Sequence, residues 1–90
     1  MHLSDMDSGN YARFLGVEGG RRLTGTLRQY GFYPGEQIRV IRIGPFGGPV
    51  LVEINQREIA LGRQVAGKVR VELIPDRNVS QDNLNSLPEK

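Results

Sequence analysis

Six residues, Gly44-Pro45-Phe46-Gly47-Gly48-Pro49, contain three glycines and two prolines and lie between two runs of β-branched residues. Such a segment ends any helix and any central strand, because proline fixes φ and lacks a donor while glycine admits positive φ. The flanking runs, Ile38-Arg39-Val40-Ile41-Arg42-Ile43 and Val50-Leu51-Val52-Glu53-Ile54, have the composition of strands. The chain is thereby confined to a small β-domain in which this loop joins two strands and carries one large apolar side chain, Phe46, near its tip.

The pattern on either side agrees. Tyr11 to Val17 reads as a first strand, stopped by Glu18-Gly19-Gly20. Arg21 to Tyr30 places Leu23, Leu27 and Tyr30 at i, i+4 and i+7, the stripe of a short amphipathic helix. Gly25 weakens that helix by about 1 kcal/mol relative to alanine, and Gly31 stands where a helix stops. Pro34-Gly35 predicts a type II turn. In the next strand Ile38 and Val40 share one face and Ile41 and Ile43 the other, a change of phase that predicts a bulge or a strand covered on both sides. Asn55-Gln56 fits a two-residue hairpin turn, although glycine is the better second residue. Arg57 to Leu61 returns, Gly62 to Gly67 leaves room for one helical turn, and Lys68 to Leu73 alternates charged and apolar residues. Five short strands and one helix between Tyr11 and Leu73 predict a mainly β fold, a small and strongly bent barrel, since closure removes vulnerable strand edges.

Ninety residues make one domain. The expected organisation is a flexible leader over residues 1–10, the barrel over 11–74 and a polar tail over 75–90. In the tail, Leu84 and Leu87 suit at most a short docking turn. With no cysteine, disulfide staples, thiolate metal ligands and cysteine nucleophiles are excluded, in keeping with a reducing cytoplasm. No segment has the ~20 apolar residues of a membrane span, and the first twenty lack the pattern of a signal peptide.

From Tyr11 to Arg70 there are ten basic side chains, nine of them arginine, against four glutamates, so the +2 net charge conceals a basic body between acidic flanks. Arginine forks suit carboxylates or phosphates, but these are scattered rather than blocked. Catalytic chemistry is missing. The single histidine, His2, lies in the leader, no base accompanies the serines and threonines, and the glycine-rich loop opens a strand, without the GK[ST] and helix of a phosphate cradle. The chain is expected to be no enzyme, with no catalytic, metal or cofactor-binding residues and no cofactor.

The body resembles the FeoA family. The matching residues are Arg22-Leu23, Gly31-Phe32-Tyr33-Pro34-Gly35 before Ile38-Arg39-Val40, the loop Gly44 to Pro49 with Val50, then Ile59-Ala60-Leu61 and Ala66-Gly67-Lys68-Val69-Arg70-Val71. No single motif is specific; their order and spacing carry the resemblance. It implies an SH3-like barrel of about five strands with one short amphipathic helix after the first. It also implies a cytoplasmic, protein-binding accessory of FeoB, a bacterial membrane ferrous iron transporter with a GTPase domain, recruited to the inner face of the membrane without inserting. Docking on the transporter's cytoplasmic region and modulating uptake is the implied function. Related barrels also form the C-terminal module of metal-dependent repressors, but no DNA-binding helix pair precedes this one. Gly62, Val65 and Gln56 depart from the family's usual residues, which puts the short turn near Arg63 in question rather than the barrel.

The candidate partner-binding residues are Phe46, Arg22 and Arg63. Two readings stay open for Phe46: a contact presented to a partner, or a lid folded back over the barrel mouth. Tyr30, Phe32 and Tyr33 are expected to serve core and turn packing. The alternatives in function are a basic barrel binding nucleic acid through Arg39, Arg42 and Tyr33, which is not the expected partner, and self-association through a strand edge as a homo-oligomer.

Overall fold

The alternating residues Val50, Val52 and Ile54 are all buried, so one face of their strand belongs to the core. The structure, a computed structural model, describes residues 1–75. Its strands are β1 (Tyr11–Val17), β2 (Gln37–Ile43), β3 (Val50–Ile54), β4 (Arg57–Leu61) and β5 (Val69–Leu73), with helix α1 (Arg21–Gln29) after β1 and a single turn α2 (Arg63–Ala66) before β5. All pairings are antiparallel, in the order β4-β3-β2-β1-β5. The bent, SH3-like sheet is present. It is not closed by hydrogen bonds: among the described residues β4 and β5 do not pair, so both remain edges.

Two bulges bend it. In β2 the register moves from Val40↔Val52 to Arg42↔Leu51, leaving Ile41 as the extra residue and explaining the change of phase in the sequence. In β1 it moves from Phe14↔Val71 to Gly16↔Arg70, with Leu15 turned outward. Beyond its short pairing with β2, β1 continues onto the turn after α1, where Gly35 N–H donates to Phe14 O and Phe14 N–H to Glu36 O, both at 2.8 Å. Phe14 meets Phe32 edge to face, ring centroids 5.6 Å apart, a geometry worth about 1 kcal/mol beyond burial.

Helix α1 ends as its glycine predicts. Gly31 takes φ 100°, Phe32 N–H reaches Leu27 O at 3.1 Å and Gly31 N–H reaches Arg28 O at 2.9 Å, the paired bonds of a Schellman stop. The type II turn follows, with Gly35 at φ 95° and Glu36 N–H bonded to Tyr33 O at 3.0 Å. Of the three aromatics expected to pack here, Phe32 is buried but Tyr30 and Tyr33 are exposed. The Asn55-Gln56 turn forms with both residues at positive φ, as a type I′ hairpin requires.

Residues 1–10 depart from the expected flexible leader. Leu3 and Met6, 1% and 3% exposed, enter the core from a 3₁₀ turn, Leu3–Asp5. Asp5 Oδ2 accepts from His2 N–H at 3.0 Å, and His2 Nε2 lies 3.0 Å from Glu18 Oε2. Val71 N–H donates to Met1 O at 2.9 Å, so the segment covers part of the outer edge of β5. The apolar residues Met1, Leu3 and Met6 give no periodicity to read among seven polar or glycine residues, yet at a spacing of three Leu3 and Met6 fall on one side of a 3₁₀ turn. The suggested turn at Leu84 and Leu87 lies outside the described residues, as does most of the tail.

Candidate functional site

Between β2 and β3 the chain makes a tight double closure. Gly44 N–H donates to Pro49 O at 2.8 Å, and inside that rung Gly48 N–H donates to Pro45 O at 3.0 Å. Phe46 and Gly47 are the two central residues of the inner turn, at φ 55° and 76°, the left-handed pair of a type I′ turn. The approach is close enough to demand small residues at its base: a Cβ on Gly44 would stand 2.9 Å from Pro49 O, and one on Gly48 would stand 3.1 Å from Pro45 O.

Phe46 is fully exposed, at 104%, and so does not fold back over the barrel mouth. Its position serves the fold in neither respect. An exposed ring contributes no burial, and a non-glycine residue at positive φ costs about 1–2 kcal/mol. Arg63 is joined to the same loop. From α2 its Nη2 donates to Gly44 O at 3.3 Å, while Nε is buried without a hydrogen-bond partner among the described residues. Arg63 therefore braces the loop's base. Its residue type was legible as a candidate; its bond to a carbonyl 19 residues away was not, since no local pattern encodes it.

Arg22 is not part of this constellation. It is exposed near the start of α1, and no hydrogen bond or ion pair ties it to the loop. Elsewhere the basic residues are partly engaged. Arg13 pairs with Glu72 at 3.4 Å and Arg39 with Glu53 at 3.7 Å. The latter offsets the placement of Glu53 directly opposite Glu58 on the β3–β4 ladder. Arg39 also sits over Tyr11, and Arg28 over Tyr33, each 5.8 Å from the ring centroid. Among the described residues no three His, Cys, Asp or Glu side chains come together as a metal site, and no helix is long and apolar enough to cross a membrane.

Comparison with known proteins then fixes the family, since the model of the FeoA domain matches residues 1–73. This chain belongs to the FeoA family. The Fe(2+) transport protein A/Fe(2+) transporter FeoB fusion protein of Porphyromonas gingivalis is 31% identical over the whole chain, which spans 11% of the fusion's length. The solution structure of iron(II) transport protein A from Clostridium thermocellum superposes with a TM-score of 0.77 at 33% identity, covering 83% of this chain and 46% of that one. FeoA of Stenotrophomonas maltophilia, crystallised with zinc and described as a procaryotic SH3 domain protein, gives 0.70 at 30% identity, covering 80% and 89%. FeoA is thus a small SH3-like accessory domain family linked to ferrous iron transport, and one FeoA relative is covalently joined to a FeoB transporter. The match begins at residue 1, in agreement with the packing of Leu3 and Met6.

Proposed function

We propose that this FeoA chain is a protein-binding accessory that docks through the Phe46 loop and its Arg63 brace on the cytoplasmic region of a FeoB-type ferrous iron transporter, at the inner face of the membrane, and modulates uptake. The observation that carries the reading is Phe46 itself: a fully exposed aromatic held at a strained φ on a loop closed by two backbone bonds. Preorganised loops lose little entropy on binding, and buried aromatics dominate interface energetics. The fused relative supports the choice of partner. A covalent link holds two modules at an effective concentration of about millimolar, so a modest contact suffices there. Modulation in this reading comes from binding, without catalysis by the barrel.

Isothermal titration of the full chain against the purified cytoplasmic region of its FeoB-type partner tests this. Phe46→Ala is expected to weaken binding about thirtyfold, the equivalent of a ~2 kcal/mol hot spot. Unchanged affinity would remove the loop from the interface.

A further inference from the structure

The end of β1 and one face of α1 border a shallow groove of about 360 Å³, lined by Val17, Gly20, Arg21, Thr24, Gly25 and Arg28. Its floor is apolar or side-chain-free, and its two ends are arginines. No acidic or aromatic residue lines it.

Two features of α1 disfavour the helix and leave the groove open. Gly25 lies in the helix interior, where alanine would be more stable, and nothing stands within 4 Å of where its Cβ would be. The fold therefore does not need a glycine there. Arg21 and Arg22 occupy the first turn, which has no acidic residue, so positive charge faces the positive end of the helix dipole. The helix carries three arginines and no carboxylate, and among the described residues neither Arg21 nor Arg22 forms an ion pair.

We infer that this groove is a second docking surface, distinct from the Phe46 loop, and that its occupant is an acidic amphipathic helix of a protein partner. Seven residues separate Arg21 from Arg28, which places their Cα atoms ~10 Å apart along the axis. Two carboxylates seven apart on a partner helix match that spacing, and each arginine fork can take one bidentately. Between them, the open position at Gly25 admits an apolar side chain against Val17 and the Thr24 methyl. Charge complementarity decides the class of occupant: two arginine ends with no acidic residue lining the groove between them ask for two negative groups. The absence of an aromatic platform in the groove disfavours single-stranded nucleic acid, which needs stacking as well as charge.

The test uses the labelled full chain at low salt and three synthetic helical peptides with a central leucine. They bear two glutamates seven apart, two glutamates four apart, or two glutamines seven apart. The seven-spaced diglutamate is expected to shift Val17, Gly20, Thr24 and Gly25 resonances and to bind at least tenfold tighter than either other peptide. Gly25→Leu fills the groove and, being a better helix former, is expected to raise the melting temperature while abolishing binding; Arg21→Gln weakens it. Phe46→Ala leaves it unchanged, which separates this surface from transporter docking. Equal binding of the three peptides, binding to none, or binding that survives Gly25→Leu overturns the inference. So does a stronger response of the same residues to anionic vesicles or to single-stranded DNA.

Discussion

Replacing Phe46 by asparagine is expected to make the protein more stable while disabling its proposed contact. The residue occupies the first central position of a type I′ turn at φ 55°, followed by Gly47 at φ 76°. Asparagine followed by glycine is the preferred pair for that turn, because asparagine tolerates the left-handed region and phenylalanine does not. The ring is fully exposed, so its removal forfeits no burial within the chain. The backbone bonds that close the loop, Gly44 to Pro49 and Gly48 to Pro45, do not involve the side chain. Relief of the strained φ is therefore the dominant change, a gain of about 1 kcal/mol. In a domain of this size that corresponds to a rise in melting temperature of about 4–8 °C, measured by circular dichroism on both proteins in one buffer. Affinity for the cytoplasmic region of the transporter is expected to fall about thirtyfold in the same variant. An unchanged or lower melting temperature would refute the claim that Phe46 is held at a cost to the fold. It would mean that the ring packs on the domain in solution.

Three further outcomes follow from the packing. Gly44→Ala forces a Cβ against Pro49 O and is expected to cost about 1–3 kcal/mol, as overpacking at a rigid contact does, read by urea denaturation. Leu3→Ala removes a side chain only 1% exposed and should cost about 2–4 kcal/mol. It should also speed hydrogen exchange at the Val71 amide, which bonds to Met1 O; a frayed leader would show neither effect. Arg63→Lys keeps the charge but loses the fork that reaches Gly44 O. Stability should move by less than about 1 kcal/mol, whereas the amides of Gly47 and Gly48 should exchange faster and partner binding should weaken.

Much of this was legible from local chemistry. Val50, Val52 and Ile54 alternate because one face of β3 is buried, and the change of phase at Ile41 left a bulge or a doubly covered strand open, of which the register shift shows the bulge. Gly31 and Pro34-Gly35 announced a helix stop and a type II turn. What stayed hidden depends on contacts between distant residues. Leu3 and Met6 become core only when β5 is there to receive them, and Arg63 becomes a brace only when the loop brings Gly44 O within reach. Tyr30 and Tyr33 looked like packing residues by type, but burial is decided by the direction in which the turn leaves the helix. The absence of pairing between β4 and β5 could not be read either, because both strands alternate as a closed barrel would require. At the candidate site the structure joins Arg63 to the base of the Phe46 loop through Gly44 O, a link no local pattern encodes, whereas Arg22 stands on α1.

The most direct test of the docking account is a heteronuclear NMR titration of the labelled chain with the unlabelled cytoplasmic region of its FeoB-type partner. The account predicts shifts or broadening concentrated at Gly44 to Gly48 and around Arg63, and their loss in Phe46→Ala. Perturbations confined to other surfaces, or none at concentrations well above those needed for a millimolar contact, would contradict it.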